Sequence, residues 1–306
     1  YLAFAQAGWR FGAGWLVLGV GMAATLYDPA FATLGRLYGA QARGAITQLT
    51  LWGGFASTVC WPLSALMLEA FGWRGVALAY AGLHLCLTLP LIWVILPREA
   101  EAKTPAIRPE TATHDAQSQL SARERRQYML MAALLVVNGL VVVNVSVWLF
   151  KLLQAQGISV GQAVALGALI GPAQVGARLI EMAARERHHP IWTMIASTGA
   201  IALGLVLLAL GWQLAALALI LYGGGNGLFS IARGSLPLAL FGPERFAVLM
   251  GRLARPALIA QAIAPMAGAF SISTFGAGIT LYLLAALGLA NLALTAAMWR
   301  VRQAKG

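Results

Sequence analysis

An all-α integral-membrane helical bundle is the fold class this sequence predicts, and three observations predict it. Apolar residues make up 60% of the 306 and charged residues only 10%, against ~25% charged in an ordinary soluble domain. The apolar residues fall into blocks of roughly 20, the length that crosses a hydrocarbon core of ~30 Å as helix. The blocks are continuous and lack the alternation of barrel strands, so their backbone groups must find partners within each helix.

Nine spans follow in order: 14–36, 44–68, 75–96, 128–153, 160–183, 192–211, 213–241, 247–272 and 279–299. Residues 1–13 are expected to finish an earlier helix and its loop. The second span closes at Phe71-Gly72. After the third span the composition changes. Residues 97–127 carry Arg98, Lys103, Arg108, Arg123, Arg125 and Arg126 among Pro, Thr, Ser and Gln, with little to bury. This stretch reads as a flexible polar linker. It divides a partial N-terminal bundle of three full spans (1–96) from a six-helix bundle (128–306). Tyr1 stands where no initiator Met or signal peptide is seen, so the chain is expected to be truncated or processed at its front.

The net charge of +11 does not read as nucleic-acid binding, because the basic residues sort by side of the membrane. With the linker in the cytoplasm, that side holds Arg36, Arg43, the six linker residues, Arg185, Arg187, Arg245, Arg300, Arg302 and Lys305. The outer side holds Arg10, Arg74 and Lys151. This bias places the C-terminus inside, as in a multi-pass protein of a bacterial inner (plasma) membrane. Cys60 and Cys86 lie within apolar spans and read as small packing residues, not as a disulfide or metal ligands.

The chain repeats. Tyr38-Gly39, Trp61-Pro62 and Phe71-Gly72 have counterparts in Phe241-Gly242, Ala264-Pro265 and Phe275-Gly276, in register and in the same orientation. The first three spans therefore correspond to the last three, and parallel repeats of this kind build transporter halves.

Two motifs extend the argument. Phe71-Gly72-Trp73-Arg74 resembles the Gly-Trp-Arg turn before the sixth helix of the major facilitator superfamily. Gly19-Val20-Gly21-Met22-Ala23-Ala24 is similar to the small-residue motif of that family's fourth helix. The resemblance spans essentially the whole chain and implies a major-facilitator-type bundle, about nine of twelve transmembrane helices, with the first three missing. The family's Gly-Asp-Arg-rich loop would lie before Tyr1. Its second-half counterpart, Gly176-Ala177-Arg178 through Arg187-His188-His189, is degenerate. Gly53-Gly54 and Trp61-Pro62 match the antiporter signature poorly, so no antiporter is inferred, and Trp15 falls where a basic residue often stands.

Charges inside spans are costly and mark candidate sites. Asp28, in Tyr27-Asp28-Pro29, has its repeat equivalent near Arg233, and the resemblance implies that both line a central cavity. They are candidates for a charged gate or an ionic-substrate site, against a structural role within their own halves. Tyr27, Asn226, Tyr222, Asn138, Asn144 and Trp148 are further cavity candidates, against interhelical hydrogen bonds. Arg178 and Glu181, three apart, read as a structural pair near the cytoplasmic end. Arg252 and Arg255 read as residues that snorkel to lipid phosphates, and His84 as a buried, satisfied imidazole. Gly223-Gly224-Gly225-Asn226-Gly227 reads either as a flexing point or as a tight helix crossing.

The expectation is a secondary transporter that moves a small solute by alternating access as a monomer, with proton coupling through Asp28 as an addition. No cofactor, metal or catalytic residue is expected. The rival classes are an integral-membrane enzyme and a non-transporting receptor on the same scaffold. Scattered acids and a lone His188-His189 pair argue against the enzyme.

Overall fold

The computed structural model describes residues 8–95, 120–184 and 188–303. Among these residues no strand occurs. The helices are α1 (Gly8–Thr25), α2 (Tyr27–Tyr38), α3 (Ala42–Leu83), α4 (Leu89–Ile95), α5 (Ala122–Gln154), α6 (Val160–Gly167), α7 (Ile170–Ala183), α8 (Pro190–Leu210) and α9 (Ala215–Gln303). Six helical stretches are long and apolar enough to cross a membrane: Gly8–Tyr38, Leu66–Ile95, Ala122–Gln154, Val160–Ala183, Pro190–Leu210 and Ala215–Gln303. This is a multi-pass membrane protein.

The two longest helices are not single rods. Gly72 breaks α3 with φ 64°, and Gly242 and Gly276 break α9 with φ 75° and 83°. Gly39, between α2 and α3, also has positive φ, at 55°. Left-handed backbone costs an L-residue a Cβ clash that glycine escapes. The four glycines are those that anchor the sequence repeat, so Gly39 corresponds to Gly242 and Gly72 to Gly276. They divide α9 into legs 215–241, 243–275 and 277–303.

Three boundaries differ from the sequence expectation. Helix α5 begins at Ala122, because Ser121 and Glu124 form a reciprocal capping box: the Glu124 N–H donates to Ser121 Oγ and the Ser121 N–H to Glu124 Oε2. Arg123, Arg125 and Arg126 are therefore helical, and the linker reading holds no further than 121; residues 96–119 lie outside the described set. Residues 8–13 are continuous with α1 and form no loop. The first span is broken at Leu26 (ψ −169°), before Pro29.

Helix α9 is the hub, packing on α8, α5, α7 and α2. Its first leg sits deepest. The glycine run is unbroken helix, and its bare Cα atoms face neighbouring backbones. A Cβ on Gly223 would lie 2.7 Å from the Ile170 carbonyl oxygen, and one on Gly225 would lie 2.8 Å from that of Ser197. A Cβ on Gly227 would collide with the Gln174 carbonyl. Gly223 and Gly227, four apart, thus seat α9 on α7 as small residues do in membrane crossings. The run is a crossing point in this structure, and the chain bends elsewhere.

Candidate functional site at the seam between two helical sets

With α1–α4, before residues 96–119, taken as the first set and α5–α9 as the second, the candidate site lies where α2 and α3 meet α7 and α9. Reciprocal packing closes the seam. Phe31 and Ile46 are fully buried against Gly234, and Phe246, also fully buried, presses on Gly35. Each ring enters a space that a side chain would fill, the knob-and-gap arrangement dense interiors require.

Asp28 and Arg233 form an ion pair across this seam, through Oδ1 and Nη2. The break at Leu26 sets Asp28 in the first turn of α2, where the helix dipole favours a carboxylate. Pro29 has no N–H to lose, so the half-helix starts there at little cost. Arg233 lies on the first leg of α9. The pair is partly exposed, at 24% for the arginine side chain and 21% for the aspartate, so it is neither sealed in the core nor free in solvent. Tyr27 stacks on Phe31, ring centroids 5.4 Å apart, and its hydroxyl packs over Gly53.

Arg178 and Glu181 are not a pair, although three residues on one helix allow it. Each is claimed by another element. The Arg178 Nε donates to Ser230 Oγ at 3.1 Å and to the Gly227 carbonyl at 3.4 Å, and a terminal nitrogen donates to Gln174 Oε1 at 3.4 Å. Glu181 Oε1 accepts from Thr193 Oγ1 at 2.8 Å and pairs with Arg43 at 3.3 Å and His188 at 3.3 Å. Arg43 also donates to the His188 carbonyl at 2.5 Å. This cluster ties the start of α3 to the α7–α8 turn, and sequence reasoning missed Arg43 as a member. No spacing rule could have found it, because its partner lies 138 positions away.

The neutral candidates are packing residues of the second set. Asn138 accepts from Asn291 at 3.3 Å, both fully buried. Asn144 donates to its own helix at Leu140 and rests on Gly268. The Trp148 indole N–H donates to the Pro265 carbonyl at 3.2 Å. Tyr222 is buried and receives an amide hydrogen bond from Asn226 at 3.4 Å, while Asn226 itself is half-buried one turn from Ser230. None of these four bonds crosses between the sets. Arg252 is half-buried and Arg255 exposed, both near Tyr128. His84 is exposed at the start of a π-helical turn, His84–Thr88, which corrects the expectation of a buried imidazole. Cys60 and Cys86 are free thiols, and Cys86 is exposed.

The helix ends carry membrane-interface signatures. Arg10, Arg74 and Lys151 each sit over an indole, of Trp9, Trp73 and Trp148, at 5.4, 4.5 and 5.5 Å from the ring centroid. Toward the other ends, Trp192 and Trp299 pack together at 5.8 Å. Tryptophan is enriched at the lipid–water boundaries of membrane proteins. No protein-family model matches the chain, and a search of the curated proteins finds no match either, so the geometry of the seam carries the functional reading.

Proposed function

We propose that the chain is a secondary transporter of major-facilitator type, moving a small solute by alternating access between the two helical sets. The observation that carries this reading is the Asp28–Arg233 ion pair, which joins the sets at a broken helix inside the membrane. Transporters use discontinuous helices and charges at the repeat interface to bind and to gate. The breaks at Gly72, Gly242 and Gly276 support the nine-span count: they separate 42–71 from 73–95 and divide α9 into three legs, which with Gly8–Tyr38, Ala122–Gln154, Val160–Ala183 and Pro190–Leu210 makes nine among the described residues. The linker-side orientation is supported by the arginine bias and by the clustering of Arg43, Glu181 and His188 at that end.

In this reading the seam is in its closed form at the cytoplasmic end, held by Asp28–Arg233 and by Arg43–Glu181. Opening the closed end requires breaking both ion pairs. Asp28 is also the group through which a proton would couple. Flux of labelled solutes into vesicles containing the full-length protein tests the proposal. Saturable flux supports it. Turnover of a lipid or quinone without flux would instead favour a membrane enzyme, and ligand binding without flux or turnover a receptor. An Asp28→Asn variant that keeps pH-driven uptake would remove Asp28 from proton coupling.

A further inference from the structure

One charge in the interior is unaccounted for. The Arg178 side chain is 4% exposed, and all its acceptors are neutral: a serine hydroxyl, a backbone carbonyl and a glutamine amide. Its Nη1 is buried and has no hydrogen-bond partner. Among the described residues no carboxylate pairs with it. Asp28 is taken by Arg233, and Glu181 by Arg43, His188 and Thr193. A guanidinium buried in a membrane bundle without a counter-ion is expensive and is kept where it serves a ligand or pathway.

We infer that Arg178 anchors a binding site for a small oxyanion, a carboxylate or phosphate group, uncovered when α3 moves off α7. The inference rests on the alternating-access reading and names the solute class that the same seam would take. Nη1 is aimed at α3, where its cover is the bare Cα of Gly54, and a Cβ at that position would collide with it. The lid over the guanidinium is thus one glycine of the opposite helical set. Moving α3 away exposes the planar fork, whose parallel N–H groups match two oxygens of a carboxylate or phosphate. Ser230 and Gly227 hold Nε and Gln174 holds Nη2, which leaves Nη1 turned toward the seam. Charge supports the same class. Asp28 and Arg233 neutralise each other, and Arg178 is left over. One positive charge remains, which a monoanion would balance. The Tyr27 hydroxyl packs over Gly53, the α3 neighbour of Gly54.

The test uses full-length protein in phosphatidylcholine nanodiscs, with thermal unfolding read against acetate, lactate, succinate and inorganic phosphate. Sodium chloride holds ionic strength constant, and choline and glucose serve as cationic and neutral controls. The expected result is a saturable rise in Tm with at least one oxyanion and none with the controls. Arg178→Lys keeps the charge but loses the fork, and should weaken binding by roughly tenfold or more; Arg178→Gln should abolish it. Gly224→Ala, whose new methyl meets nothing closer than 3.7 Å, should bind as the parent does. Should Arg178→Gln fail to fold, Arg178→Lys alone decides. If phosphatidylglycerol raises Tm and the soluble anions do not, and Arg178→Lys removes the effect, the oxyanion is a lipid headgroup. No shift with any oxyanion or with phosphatidylglycerol, or shifts unchanged in both arginine variants, would overturn the inference. Oxyanion binding without vesicle flux would leave the site standing and remove alternating access. Saturable flux of a cationic or neutral solute without oxyanion binding would do the reverse.

Discussion

Breaking the Asp28–Arg233 pair should release the closed end of the seam by a calculable amount. Unit charges ~4 Å apart attract by ~4 kcal/mol at an effective dielectric of ~20. Both side chains are about a fifth exposed, so solvation of the separated ions recovers part of that. A coupling of ~2 kcal/mol lies between fully buried pairs, at ~3–5 kcal/mol, and exposed ones, at ~0–1 kcal/mol. It corresponds to a shift of about 30-fold in the population of the closed form. The two single variants should differ. Asp28→Asn strands Arg233, whose Nε already lacks a partner. Arg233→Gln leaves Asp28 in the first turn of α2, where the helix dipole still stabilises it by ~0.3–1 kcal/mol. Asp28→Asn should therefore open the seam further. Spin labels at Thr33 and Ala239, both exposed and one in each set, report the separation by pulsed EPR in a background with Cys60 and Cys86 replaced. The single variants should populate a longer distance, the double variant should add little, and the swap Asp28→Arg with Arg233→Asp should restore the short one. Unchanged distances in both single variants, or effects that simply add, would refute the pair as a gate.

Three further outcomes follow from the packing and the charges. Gly227→Ala should destabilise by ~1–3 kcal/mol, because its methyl collides with the Gln174 carbonyl, whereas Gly224→Ala should be nearly silent in the same unfolding assay. Asn138→Ala and Asn291→Ala should show a coupling of ~0.6 kcal/mol in a double-mutant cycle, the usual worth of an interhelical hydrogen bond in a membrane. His189 is held down to about 4 by burial first and then by Arg302 and Arg43, and its Nδ1 accepts the Ile191 N–H at 3.1 Å. Its folded value is depressed below the ordinary ~6.5, so its neutral form stabilises the protein above that pH. That stability is lost as pH falls from about 6.5 toward about 4. A His189→Asn variant should flatten Tm against pH across this window, and an unchanged slope would exclude the imidazole.

Much of the backbone was legible because its punctuation is chemical. Aromatic-Gly pairs at 38–39, 71–72, 241–242 and 275–276 mark the repeat, and all four glycines have positive φ. The Ser121–Glu124 capping box was equally legible, yet the surrounding charge masked it: three arginines in four residues read as linker while the cap started a helix. The seam was legible only in part. Asp28 and Arg233 come together because the repeat puts them at matching positions of two helices, which a parallel offset can reveal. Arg178 and Glu181 could not be assigned from α7 alone. Spacing says which residues share a face of one helix, but Ser230 and Arg43 are supplied by other elements.

That failure is informative about the arginine. Had Arg178 paired with Glu181, α7 would be neutral within itself and Arg178 would need no further partner. Instead Glu181 turns to Arg43 of the first set, and the separation leaves Arg178 with neutral acceptors beneath a glycine. The carboxylate that would have satisfied it is spent on holding the sets together at their closed end. In the alternating-access reading proposed above, the closed seam holds an unpaired cation that only opening makes available. The contact that locks one state is thereby the reason the other state would attract an anion, and both follow from the direction in which one glutamate points.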